Sequence, residues 1–328
     1  MTNLNQSHML PYDVQLANEY RFSRHHIDKY IRDAILGDPS GVAKVEEGVH
    51  LLQEWLSQTY YPSKMARLEQ LKGLDLFKLV TDIYVVLGYV QQPELFTSVT
   101  AKLVGVLRFN ERKEGLTTIA EMLAVLCQTD VFDILKPHPM ASMTIQSRMV
   151  LSDELKDYID NASFLPPMVC PPKIVTSNHQ SGYLTHNESL ILGKGNHHDG
   201  DICLDVINNQ NQIPLKLDVD FLKSVDSTDK HITVEWVTKK AAEKGKILTE
   251  LQAIEEVRLQ KEQWKDFKKQ SYNFFTMLVK QGNQFYLTNR VDKRGRLYAC
   301  GYHTTTQGSP FQKASIEFAE EELVEGVI

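Results

Sequence analysis

The chain has 328 residues with 36 Lys and Arg against 42 Asp and Glu, and its formal net charge of -6 excludes a protein that coats nucleic acid unselectively; any such contact must be a local groove. At 42% hydrophobic and 24% charged residues, its composition is that of a globular protein long enough for two or more subdomains. The four cysteines, Cys127, Cys170, Cys203 and Cys300, form no C-x-x-C pair, which argues against a zinc site or disulfide framework and for a reducing cytoplasm.

Residues 1–12 are polar and read as a frayed end with no basic-then-apolar leader. From Asp13 to about Ala162 the apolar residues recur at three-and-four spacing, as in Ile27, Tyr30, Ile31, Ile35 and Val49, Leu52, Trp55, Leu56, which predicts a helical domain over 1–162. Asp38-Pro39 and Tyr61-Pro62 mark breaks, and Thr118 with Glu121 has the form of a capping box, which predicts a helix start there. His25 and His26 are adjacent, so on a helix they point about 100° apart and do not share one ion. The most apolar stretch, Leu76 to Val90, contains Lys78 and Asp82 and is short for a membrane span.

Four prolines between Phe164 and Lys173 rule out helix and predict an extended connector over 163–204. Within it, Gly193-Lys194-Gly195 is too short for a phosphate-binding loop. His197, His198, Asp199 and Asp201 have the side chains of a metal site, although an exposed polar loop is the commoner meaning of such a run. Asp205 to Phe221 reads as a helix limited or kinked by Pro214, on which Asp218 and Asp220 diverge too far to share a metal. Lys239 to Lys280 is the longest helical signal, on the order of 60 Å if continuous, and reads as one arm of a helical hairpin or a coiled-coil seam. Lys261, Lys265, Lys268 and Lys269 give it a basic flank.

The stretch Phe285 to Tyr302 predicts a β-hairpin with a polar tip at Asp292-Lys293-Arg294-Gly295-Arg296. The guanidinium forks of Arg294 and Arg296 suit phosphate oxygens, Gly295 permits a positive φ or a close ligand approach, and Asp292 can hold one fork in place. On composition alone, a basic turn closing a solvated hairpin looks the same.

The run D-x-R-G-R-x-Y-A from Asp292 to Ala299, followed by Gln307-Gly308 and by Lys313 to Ala319, resembles the D/TxxGR motif of the single-subunit RNA polymerases of bacteriophages and mitochondria. In that family the motif lies at the palm's edge and contacts the template and the RNA:DNA hybrid. Two further segments resemble the family in the same order. Leu165 to Lys173 with Gly182-Tyr183 is similar to its P-P-K-P-W segment, although Ile174-Val175 replace Pro-Trp, and Val206 to Leu217 is similar to the start of its thumb.

The resemblance implies a mainly α fold with a small β portion: a helical N-terminal domain, thumb-like helices over 205–284, and over 285–328 a hairpin forming the edge of an incomplete polymerase palm. It implies nucleic-acid contacts by Asp292, Arg294, Gly295, Arg296, Tyr298, Lys173 and Lys313. The family's metal-binding aspartates and its fingers lysine and tyrosine are not found in this chain, so no catalytic or metal-holding residue is assigned and magnesium is expected on a partner chain. The chain resembles the smaller, amino-terminal subunit of the two-chain polymerases of enquatrovirus-like podoviruses. This implies an obligate heterodimer with a second subunit that carries palm and fingers, acting on DNA template, RNA transcript and ribonucleoside triphosphates in the host cytoplasm, and inactive alone. The negative charge makes an accessory single-strand DNA-binding recruiter a further expected partner. The hairpin and Ser315 to Ala319 are expected to be open strand edges that the partner completes, covering Phe318 and the face around Leu297. Two other readings stand beside this one: a freestanding nucleic-acid-binding or regulatory protein derived from a polymerase N-terminal half, and a metal-dependent enzyme using His197 to Asp220.

Overall fold

The structure, a computed structural model, describes residues 10–107, 109, 111–136, 138, 141–161, 164–193, 195–226 and 228–320. Most of the expected N-terminal frayed end, the acidic tail beyond Glu320, and Lys194 of the short glycine turn lie outside these. Helices dominate the described residues and small antiparallel sheets complete them, so the fold is mainly α with a small β portion. The chain divides into two compact units, Arg24–Ser163 on the one hand and Met1–Ser23 with Phe164–Ile328 on the other.

Helix α1 (Pro11–Phe22) therefore belongs with the second unit and not with the helices that follow it. The face it buries is mostly polar: Gln15, Asn18 and Glu19 beside Phe22. Glu19 is fully buried, and its carboxylate accepts from the backbone N–H of Leu184 and Thr185 at 2.8 Å each, from Thr185 Oγ1 at 2.6 Å and from Gln15 Nε2 at 2.8 Å. Gln15 Oε1 in turn accepts from Val169 N at 2.9 Å, and Asn18 exchanges amide hydrogen bonds with Gln281. A helix docked this way supplies hydrogen-bond acceptors to loop backbone that would otherwise be buried without partners.

The Arg24–Ser163 unit contains α2 (Arg24–Leu36), α3 (Pro39–Ser57), α4 (Pro62–Glu69), α5 (Leu76–Gly88), α6 (Phe96–Leu103), α7 (Arg112–Leu126) and α8 (Asp153–Asn161). A small antiparallel sheet joins them, with strands β1 (Glu94–Leu95), β2 (Phe132–Leu135) and β3 (Thr144–Ser147) in the order β1-β3-β2. Pro39 and Pro62 sit in the first turns of α3 and α4, where no intrahelical N–H is lost, and Asp38 caps α3 by accepting from Ser40 N. Helix α5 is apolar nearly all round and buries Leu79, Val80, Ile83, Tyr84, Val85 and Leu87, as expected of a core helix. The predicted helix start at Thr118 is corrected: α7 begins at Arg112, and Thr118 and Glu121 lie inside it. Both receive the buried guanidinium of Arg67, Nη1 to Thr118 Oγ1 and Nη2 to Glu121 Oε1 at 2.7 Å each, so the pattern reflects an ion-pair site.

In the second unit the predicted helix over Asp205 to Phe221 is broken. Helix α9 (Leu204–Asn211) stops before Pro214, β4 (Leu215–Leu217) follows, and α10 (Val219–Ser224) begins with Asp218 capping Phe221 N at 2.8 Å. Proline has no N–H to continue α9 and disfavours helical backbone before it. The long helical signal is likewise two helices, α11 (Val234–Glu243) and α12 (Glu250–Lys280), the second about 46 Å long. Gly245 takes φ +70° at the turn, and Thr249 with Gln252 forms a capping box that starts α12 afresh. The hairpin strands β5 (Asn289–Val291) and β6 (Leu297–Ala299) come next, then α13 (Pro310–Ala314) and β7 (Ile316–Phe318), which pairs with β4. Leu217, Leu222, Phe275, Leu278, Phe285 and Leu287 form the core around this sheet.

His303, just beyond β6, is 3% exposed among the rings of Phe164, Phe267 and Phe274. Ser271 Oγ donates to Phe267 O at 2.7 Å, so at 2.8 Å it accepts from Nδ1–H of a neutral imidazole. Burial pushes the imidazole pKa down from 6.5 to about 4. The unfolded chain then binds the proton first, so the contribution of His303 to stability is whole above pH 6.5 and falls as pH drops to about 4. About 3 kcal/mol is expected to be lost across this window. Urea melts followed by fluorescence should show it, and His303→Phe should flatten the pH dependence.

Candidate nucleic-acid interface

Strands β5 and β6 pair antiparallel with Arg290 opposite Tyr298, and the tip is closed by Asp292 N to Arg296 O at 3.0 Å and Gly295 N to Asp292 O at 2.9 Å. Gly295 has φ +79° with open space around it, so glycine is required here by backbone conformation and not by a close neighbour. The Asp292 carboxylate organises the loop. Oδ1 accepts from the backbone N–H of Arg294 (2.9 Å) and Arg296 (3.0 Å), and Oδ2 accepts from Arg296 Nε (2.8 Å) and lies 2.6 Å from the charged Nη2. The Arg296 guanidinium, helped by the two backbone N–H groups, pushes the Asp292 pKa down to about 2.

The two arginines thus differ. Arg296 is held as a planar fork beside Asp292, with Cζ 5.8 Å from the Tyr298 ring, while the exposed side chains of Lys293 and Arg294 meet no partner among the described residues. The tip offers two free cations next to one positioned guanidinium, a pattern suited to phosphate oxygens. Asp292 itself does not fit a magnesium ligand, because both its oxygens are occupied by donors.

The base of the hairpin is where Pro172 to Val175, α9 with its C-cap Gln212, and the start of β5 meet. Side-chain amides of α9 and its C-cap do the joining: Asn208 exchanges hydrogen bonds with Val175 N (2.8 Å) and O (2.9 Å), and the capping Gln212 donates from Nε2 to Pro172 O (2.9 Å). Asn211 Oδ1 accepts from both the backbone N–H (2.8 Å) and Nδ2 (3.0 Å) of Asn289 at the start of β5. Gly182 fills the gap between them, since a Cβ there would lie 2.8 Å from both Pro172 and Thr288. Lys173 is half-buried in this region with its ammonium 3.5 Å from Leu184 O, so it is less available than the tip residues. Lys313 is exposed on the last turn of α13.

One expectation is overturned: the hairpin is not an open edge. The outward groups of β6 are taken by Gln307, whose Nε2 donates to Leu297 O and whose Oε1 accepts from Ala299 N, both at 3.0 Å. On the β5 side, Val291 N donates to Leu190 O (2.8 Å) and Leu192 N to Val291 O (2.7 Å). Strand β7 differs, because β4 occupies one side of it and Phe318 is 66% exposed.

No three His, Cys, Asp or Glu side chains come together as a metal set among the described residues. His197 and Asp199 form an exposed pair at 3.7 Å, His198 Nδ1 lies 3.1 Å from Gly200 O, and Asp218 is used as a helix cap. On α12, Lys261 pairs with Asp229 at 3.6 Å, which occupies part of the expected basic flank. No helix of the described residues is long and apolar enough to cross a membrane. Comparison with protein-family models finds no match, and comparison with curated proteins finds none either.

The joining amides Asn208, Asn211 and Gln212 and the bridging Gln307 went unassigned in the sequence. Their only trace there was the polar run beginning at Asn208 and the Gln-Gly pair after the basic turn.

Proposed function

We propose that this chain is a nucleic-acid-contacting subunit of a DNA-directed RNA polymerase, with Arg294, Arg296 and Lys293 gripping backbone phosphate near an RNA:DNA hybrid. One observation carries the reading. The amides Asn208, Asn211 and Gln212 tie the proline segment and β5 into one base, from which the tip projects two free cations and one clamped guanidinium. A solvated hairpin turn can use one carboxylate oxygen to cap its N–H groups, as Oδ1 does, but needs neither this base nor the hold of Oδ2 on Arg296.

In this reading Asp292 aims Arg296, Gly295 sets the tip's turn, Tyr298 stands beside the guanidinium, and Lys313 and Lys173 are outlying contacts to template or transcript. Phosphoryl transfer by two metals needs clustered carboxylates. In this reading magnesium, fingers and the remaining palm are supplied by a second chain, and no chemical step is assigned to this one. The exposed strand β7, with Phe318, is the seat for that chain. The alternative of a freestanding regulatory protein shares the same tip and differs only in lacking the partner.

The test has two parts. The purified chain should bind a short fluorescent RNA:DNA hybrid, and the complex isolated under native conditions should contain a second polypeptide in 1:1 ratio that is required for RNA synthesis on single-stranded template. Hybrid binding without any such partner would favour the regulatory reading. Absence of hybrid binding would sink both.

A further inference from the structure

We infer that Gln307 is a positioning residue for the tip, acting as a one-residue stand-in for a third strand. The inference rests on the nucleic-acid reading of the hairpin. In the β5–β6 ladder the backbone of Tyr298 faces β5, so Leu297 and Ala299 turn their polar groups outward. A residue of a parallel strand lying opposite Tyr298 would donate to Leu297 O and accept from Ala299 N. The Gln307 carboxamide makes these two bonds, each at 3.0 Å, with one planar group.

The loop that carries Gln307 is itself fixed. Gln307 N donates to Thr305 Oγ1 at 3.3 Å, and directly after it Ser309 and Gln312 form a capping box for α13, with Gln312 Nε2 also donating to Tyr302 O. The segment after β6 thereby folds back to hold the strand it has just left. What the bridge holds is the strand on which Tyr298 and the outgoing side of Arg296 sit, so its effect on binding is to keep the guanidinium and ring in place before nucleic acid arrives. Ordering of this kind improves affinity by lowering the entropy that binding must spend.

The chemistry of the bridge supplies its own control. A glutamate at this position keeps the acceptor for Ala299 N but, when ionised, sets a carboxylate oxygen against Leu297 O. Once protonated it has one donor and one acceptor and can make both bonds again.

The experiment measures the affinity of the intact chain for a short RNA:DNA hybrid in wild type, Gln307→Ala, Gln307→Glu and the Arg294→Ala/Arg296→Ala double variant, alongside urea melts and amide exchange at Ala299. Gln307→Ala should bind about fivefold more weakly, the equivalent of one net hydrogen bond, with faster exchange at Ala299 and an unchanged urea midpoint. Gln307→Glu should be as weak near neutrality and should recover relative to wild type at the same pH as the solution approaches a glutamic acid's usual pKa of about 4.3. If the arginine double variant loses binding while Gln307→Ala binds as wild type, the positioning role is overturned and the nucleic-acid reading stands. If Gln307→Ala lowers the urea midpoint in step with affinity, or Gln307→Glu fails to recover, Gln307 is structural only. If wild type binds no better than the double variant, the nucleic-acid reading fails and takes this inference with it.

Discussion

Glu19→Ala is expected to destabilise the unit formed by α1 and residues 164–328 by about 3–5 kcal/mol, the upper end of what a single substitution costs. The substitution deletes the acceptor for Leu184 N, Thr185 N, Thr185 Oγ1 and Gln15 Nε2 at once. Each buried donor left without a partner costs about 1–3 kcal/mol, less whatever water recovers. Glu19→Gln keeps one carbonyl oxygen and should lose less. Trp236 and Trp264 report on this unit and Trp55 on the other, so urea melts of wild type and Glu19→Ala in a Trp55→Phe background separate the two. An unchanged midpoint for the Trp236 and Trp264 signal would show that α1 is dispensable to its unit.

The second large effect is on hybrid binding. Arg294→Ala should weaken it and lower the salt dependence by about one counterion, as expected for one exposed phosphate contact. Arg296→Ala should cost more, about tenfold or above, because it removes a charge-assisted contact and also strips Asp292 of its partner, leaving a carboxylate facing incoming phosphate. Arg296 holds the Asp292 pKa down to about 2, and without it the carboxyl returns towards the ordinary 3.8, still ionised in weakly acidic solution, so this contrast should not vary between weakly acidic and neutral solution. In the two-chain polymerase proposed above, the same substitution should depress RNA synthesis while leaving assembly intact. Equal, small effects of the two arginines would mean that the clamp by Asp292 aims at nothing.

The hairpin, the helical character of 24–161 and the break at the prolines were legible because each rests on local physics: alternation, three-and-four spacing and the missing N–H of proline. The tip chemistry was legible for the same reason, since Asp292, Gly295 and Arg296 act on one another across a few residues. What was hidden is long-range and polar. Nothing in the periodicity of α1 marks Glu19 as a core residue, because its partners at Leu184 and Thr185 are more than 160 residues away. Thr118 and Glu121 had the spacing of a capping box, yet Arg67 from another helix decides their role. Gln307 closes a strand edge that, judged by strand order alone, looked open.

The placement of α1 bears on how the molecule is made. Residues Arg24–Ser163 form a unit interposed between α1 and the segments it packs against, and they can fold during synthesis while α1 waits with a polar face and no partners. Helix α1 is made before the central unit, yet it closes the structure only after Leu184 and Gln281 have emerged. Nascent chains halted before residue 184 should therefore hold a protease-resistant central unit behind a cleavable leading helix. The burial of Glu19 then waits on residues 184 and 185 and marks the chain's passage beyond the central unit.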